Sequence, residues 1–237
     1  MSRYVFIKDR NMYLDVNGIN LQGSSKNIRL TSVPDTCPIC HHNVHPKHII
    51  TQDLLERSLA QAVFRCTREK CQEIFIATYQ NTNKNIGGRF LYEFVRVAPI
   101  SPNESDFPDT IKEISPSFVE IYNQALAAES HNLSQLVGIG LRKALEFLIK
   151  DFALNQHPED EKIIRASMLG KCISDYVSDI NVKECAKRAA WLGNDETHYT
   201  RKWEDKDVKD LKLLVRLTVN WIDNILLTQK YIKEMES

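Results

Sequence analysis

Residues 98–109, APISPNESDFPD, decide how this chain is read. Pro99, Pro102 and Pro108 each remove a backbone donor and push the preceding residue out of the α region. The residues between them are mostly polar, so the segment reads as a linker over 99–114. The hydrophobic pattern changes across it. Before it, apolar residues come in short β-branched and aromatic runs; after it, they recur at helical spacing. The expectation is an α+β chain with a small N-terminal β domain over 1–98 and an α-helical bundle of about five helices over 115–237.

On the N-terminal side, YVFI, NIRLTSV, AVFRC, EIFIATY and RFLYEFVRV read as strands separated by Asn, Gly and Ser clusters, with NKNIGGRF as a hairpin turn. On the other side, SPSFVEIYNQALAAES opens with Ser115 at an N-cap and Pro116 at the first helical position. The next helix, NLSQLVGIGLRKALEFLIKDFAL, aligns Leu133, Val137, Leu141, Ala144, Leu145, Leu148 and Phe152 on one face. PEDEKIIRASMLGKCISDYVSD and VKECAKRAAWL read as shorter helices, the second ended by Gly193. The last helix runs from near Asp205 towards Glu236 and aligns Val208, Leu211, Val215, Thr218, Ile222, Ile225 and Leu226. Leu213, Leu214, Leu217, Val219 and Trp221 make it apolar beyond one stripe. Such a helix needs cover on more than one side, and a second copy of the chain supplies it, so a homodimer through the helical domain is expected.

An apolar fraction of 43% and a charged fraction of 26% are those of a soluble protein. No run approaches the ~18 apolar residues of a membrane span. MSRYVFIKDR lacks the layout of a signal peptide, which points to a cytoplasmic protein with no membrane partner. The net charge of zero is unevenly spread: residues 1–100 carry 13 Lys/Arg against 8 Asp/Glu, and residues 101–237 carry 18 against 23. That asymmetry permits a nucleic-acid or acidic partner at the N-terminal part without demanding one.

Cys172 and Cys185 lie in helical patterns and read as small buried residues. Cys37, Cys40, Cys66 and Cys71 are different. They form a C-x2-C and a C-x4-C pair with 25 residues between them. Two close thiol pairs on β-turns can surround one tetrahedral Zn²⁺, and four thiolates leave no position for water, so the site is expected to be structural. The β domain then becomes a zinc-ribbon-like knuckle, in which a metal supplements a thin core. His41, His42, His45 and His48 follow the first pair and could each replace a cysteine. A zinc hydrolase is disfavoured, because no open His/Glu cluster accompanies the thiols.

Taken in order, CPIC, CTREKC, SPSFVEIYNQALAA, GLRKALEFLIKDF and LGNDETHY resemble the bacterial domain-of-unknown-function 4145 family over roughly residues 35–75 and 110–230. That family looks like a branch of the HEPN superfamily (higher eukaryotes and prokaryotes nucleotide-binding). The resemblance implies a helical bundle, frequent dimerisation, and association with restriction and anti-phage defence. It does not imply a settled activity. HEPN ribonucleases pair an arginine with a histidine four to six residues later: a histidine can move protons at a ribose hydroxyl and an arginine can neutralise the scissile phosphate. Asn194 and His198 match the polar residue and the histidine. The arginine position departs, since Arg188 has nine residues between it and His198. Arg142, which can pair with Glu146 at i,i+4, could substitute from the second helix. The expected function leans away from catalysis: a zinc-stapled, dimerising accessory or nucleic-acid-associated module in bacterial restriction or anti-phage defence, with nucleic acid (RNA or DNA) or another defence-system protein as its partner. The alternative is a metal-independent endoribonuclease with His198 as general acid/base, in a cleft shared by Arg142, Glu146 and Asn194.

Overall fold

Alternating burial builds the N-terminal unit. The computed structural model describes residues 3–6, 12–102 and 104–235, and the chain divides into two units, Met1–Ser101 and Pro102–Ser237. Among the described residues of the first unit there are seven strands: β1 (Arg3–Phe6), β2 (Met12–Ile19), β3 (Ser25–Leu30), β4 (Lys47–Leu54), β5 (Leu59–Arg65), β6 (Ile74–Ile86) and β7 (Arg89–Ala98). In β5 the inward set is Ala60, Ala62 and Phe64, and in β6 it is Phe75, Ala77 and Tyr79. β4, β5, β6 and β7 pair antiparallel in sequence order. β7 joins β3 in parallel, and β3 joins β2 antiparallel.

The sheet then closes. β2 pairs in parallel with β4 at Gly18↔Thr51 and Ile19↔Gln52, which makes a barrel of six strands with β1 added through β2. Gly18 lies at that seam. A Cβ there would meet Ile28 Cδ1 at 2.2 Å and Asp53 Cβ at 3.3 Å, so a larger residue would have to displace the buried Ile28 side chain. The expectation of a small β domain built on a zinc-ribbon-like knuckle is corrected accordingly. The barrel has its own core, with Leu14, Ile28, Leu30, Phe64, Phe75 and Tyr79 buried, and the cysteine loops are an attachment to it.

The second unit is helical: α1 (Asp109–Ile114), α2 (Pro116–Ser130), α3 (Ser134–Gln156), α4 (Glu161–Ala166), α5 (Leu169–Tyr176), α6 (Ile180–Asp195) and α7 (Val208–Met235). Seven helices among the described residues replace the expected five or so. α1 forms inside the stretch read as linker. The third expected helix is broken at Ser167 and Met168, both extended with ψ of 145° and 148°. The Ser167 hydroxyl donates to the Ile163 carbonyl at 2.8 Å, the side-chain bond that competes with a continuing helix.

α3 is the centre of this unit, packing on α2, α5, α6 and α7. Leu141, Leu145 and Leu148 on it have no exposed surface, and each such burial stabilises by about 1.5–3 kcal/mol. α7 buries Leu211, Val215, Val219 and Ile222, with Thr218 Oγ1 satisfied by the Leu214 carbonyl at 2.8 Å. Leu214 and Val219, expected on a second face, turn towards the core. Leu213, Leu217 and Trp221 remain exposed at i, i+4 and i+8. Among the described residues no helix is long and apolar enough to cross a membrane.

Candidate functional site: a four-thiol metal centre and the Arg142 junction

The loop before β4 and the loop between β5 and β6 lie at the same end of the barrel, because Lys47, Arg65 and Ile74 are in register. They bring the four cysteines together across the two loops. Sγ of Cys37 lies 3.9 Å from that of Cys71, Sγ of Cys40 lies 3.9 Å from that of Cys66, and all four fall within 4.8 Å of one another. A tetrahedron with metal–sulfur bonds of ~2.3 Å has sulfur–sulfur edges of about 3.8 Å. A disulfide would bring two sulfurs to ~2.05 Å, and all four cysteines are free thiols. The group could hold a metal ion.

Both loops use one turn. His41 and Gln72, each following the second cysteine of its pair, are left-handed with φ of 55° and 54°. The His41 N–H donates to the Cys37 carbonyl at 2.9 Å, and the Gln72 N–H donates to the Arg68 carbonyl at 3.1 Å. Arg68 therefore stands in the second turn where Cys37 stands in the first. Cys66 sits two residues before that turn, which is how a C-x4-C spacing reaches the geometry of C-x2-C.

Backbone N–H groups of His42, Arg68 and Glu73 donate to the sulfurs of Cys40, Cys66 and Cys71, an arrangement that favours thiolate. Burial pushes the Cys40 thiol up, but the His42 N–H and the other three thiols outweigh it and lower it to about 6. Burial raises Cys66, and it pushes Cys71 up to about 12 with the neighbouring sulfurs adding to the effect. With Cys40 ionised, its charge adds to burial in opposing ionisation of Cys66 and Cys71. A cation among the sulfurs removes that opposition.

Among the described residues no histidine joins the group. His42 Nδ1 lies against the Cys40 carbonyl oxygen and the Arg68 guanidinium. His48 packs edge-on to Phe64, with Nε2 2.8 Å from Thr51 Oγ1. His41 and His45 are exposed.

In the helical unit, α3 and α6 approach closely at Gly193, where an added Cβ would lie 2.8 Å from Cβ and Cδ of Arg142. α6 was expected to end at this glycine; it continues to Asp195, and the glycine serves the helix approach instead. The approach sets the Arg142 guanidinium against the end of α6. Its Nε donates to Asn194 Oδ1 at 3.0 Å and its Nη1 to Glu146 Oε2 at 3.3 Å. Lys150 holds the other Glu146 oxygen at 2.8 Å. Burial pushes the Glu146 carboxyl up, and the two cations outweigh it and hold it below the ordinary range. Arg142, Glu146 and Asn194 are thus joined. His198 lies in the turn after α6, exposed, with its backbone N–H on the Asp195 carbonyl at 3.3 Å. No hydrogen bond among the described residues links its ring to the other three.

Asp195 lies outside the expected site residues yet organises the loop after α6. Its carboxylate is buried, and Oδ2 accepts the backbone N–H of Lys202 at 2.8 Å and of Trp203 at 2.6 Å. Burial pushes this carboxyl up, while the two N–H groups and the charges of Arg201 and His198 bring it below the usual range. Asp195 folds the loop back onto α6, where Trp203 stacks with Trp191. A signal was present, since Asp195 follows buried Ala189 and Leu192 at three-residue steps. No family model, curated protein or solved structure matches this chain. Fold and site define its class as a two-unit α+β protein with a four-thiol cluster that could hold a metal ion.

Proposed function

We propose that this chain is a zinc-stapled binding module whose HEPN-type helical unit dimerises and associates with nucleic acid, in the restriction or anti-phage setting that the family resemblance implies. The observation that carries the zinc staple is the four-sulfur cage within 4.8 Å, and the family resemblance supports the rest of the reading. Four thiolates at tetrahedral spacing suit Zn²⁺, and a shell filled by protein leaves the ion no substrate position, so its role is to hold the two barrel loops.

Binding is favoured over cleavage by the state of Arg142. Its guanidinium is occupied by Asn194 and Glu146, so the fork that would clamp a scissile phosphate already has partners. The ribonuclease alternative requires Arg142 to exchange one of them for a phosphate beside His198. Incubating the purified protein with mixed RNAs in EDTA, beside His198→Ala, separates the two. The module predicts bound, intact RNA with both proteins. Cleavage by the wild type that His198→Ala abolishes would overturn the non-catalytic reading.

A further inference from the structure

The loop after α6 gathers aromatic and basic side chains that the metal centre and the Arg142 junction do not use. Within Tyr199-Thr200-Arg201-Lys202-Trp203, rings and cations interleave. Trp191, the last aromatic of α6, is 48% exposed, and Tyr199 is fully exposed. Trp191 and Trp203 stand nearly parallel, with ring centres 6.5 Å apart and planes within 10°. With Asn194, Asp195 and Lys202 they line a cleft of about 400 Å³. Lys202 Nζ sits 5.5 Å from the Trp203 ring centre.

Three features of this cleft point to one ligand chemistry. Trp191 on α6 and the partly buried Trp203 on the loop present indole surface to the cleft, and Tyr199 adds a fully exposed ring earlier in the same loop, apolar surface in water that a flat apolar face would cover. The patch is preorganised, because the Asp195 carboxylate pins both Lys202 and Trp203 through their backbone N–H groups. Lys202 supplies a cation to the cleft lining, and the Asp195 charge opposing it is already hydrogen-bonded. A flat π-face carrying an adjacent anion is a nucleobase with its phosphate. In a duplex those faces are hidden by stacking, so the strand must be single.

We propose that Trp191, Trp203, Tyr199 and Lys202 form a base-stacking site for single-stranded nucleic acid. The proposal rests on the nucleic-acid part of the function above and specifies the strand type and the residues that hold it. Stacking places a base against the indole pair, and Lys202 meets a neighbouring phosphate.

The test uses the full-length protein and fluorescently labelled homopolymeric oligonucleotides, RNA and DNA, single-stranded and as duplexes, read by anisotropy. Single strands should bind more tightly than duplexes. Trp191→Ala should weaken binding by about 5- to 150-fold, the loss of one base–aromatic stack, and Trp191→Phe should restore most of it. Lys202→Ala should lower the slope of log affinity against log salt by about 0.7–1. Tyr199→Ala, which removes a fully exposed ring without disturbing the fold, should also weaken binding. Equal binding by wild type, Trp191→Ala and Tyr199→Ala would overturn the site while leaving nucleic-acid association standing, as would a preference for duplex. A wild type that binds no oligonucleotide would overturn both.

Discussion

Replacing Gly193 by alanine tests whether the α3–α6 approach is as close as the structure has it. Inside an exposed helix the change would stabilise by about 1 kcal/mol. Here the new Cβ would lie 2.8 Å from Arg142 Cβ, an atom fixed to the α3 backbone that no rotamer can move away. The helices must separate by several tenths of an ångström, which costs about 1–3 kcal/mol for overpacking. Separation also stretches the solvent-exposed Arg142–Asn194 hydrogen bond, worth about 0.5–1 kcal/mol there. Against the gain in helix propensity, the net expectation is destabilisation by about 0.5–3 kcal/mol, or a fall in Tm of about 2–9 °C for a unit of this size. Gly170→Ala in α5 is the control, since nothing lies within 4 Å of a Cβ there. It should leave Tm unchanged or raise it. Thermal unfolding followed by far-UV circular dichroism reads both variants. A Gly193→Ala protein at least as stable as the wild type would refute the close approach, and with it the account of how Arg142 reaches Asn194.

Other consequences can be read in the same way. The Arg29 hydrogen bonds to Asp15 hold its carboxyl below the ordinary carboxylate range, with Arg89 adding to the effect, so Asp15 contributes stability above about pH 4 that is lost as pH falls through its folded value. Asp15→Asn should cost about 1 kcal/mol at neutral pH and flatten the acid limb of a stability–pH curve. His41→Gly and Gln72→Gly relieve left-handed backbone and should each raise stability by about 0.5–1 kcal/mol, read from chemical denaturation of the metal-loaded protein. Leu217→Lys together with Trp221→Lys should convert a dimer to a monomer in light scattering with little loss of helicity; a wild type that is monomeric at micromolar concentration would remove the dimer from the account.

The sequence disclosed local features well and long-range closure poorly. The β-to-α change at the proline-rich stretch and the two thiol pairs were legible, because each is written in residues close together. The barrel was not, because β2 and β4 did not look like strands. In β2 the apolar run is broken by Asp15, Asn17 and Gly18, of which Asp15 pairs with Arg29 and Arg89 and Gly18 serves the seam. In β4 the buried set includes Thr51 and Asp53, and Asp53 is accommodated by the Tyr92 hydroxyl at 2.9 Å and by Lys26 at 3.8 Å. Polar residues that find partners across the fold erase the alternation by which strands are recognised. The Arg142–Asn194 bond was partly legible, since both residues belong to polar signatures on helices expected to pack. The Trp191–Trp203 stack was not, because it depends on the loop that Asp195 folds back.

The metal is the centre of the proposed module. Elemental analysis of protein purified without added metal, combined with X-ray absorption at the zinc edge, measures ion, stoichiometry and ligands together. The four-sulfur cage predicts about one Zn²⁺ per chain surrounded by four sulfurs at ~2.3 Å, with binding abolished in a Cys66→Ser/Cys71→Ser variant. Protein without stoichiometric zinc, or a shell in which nitrogen replaces sulfur, would contradict it.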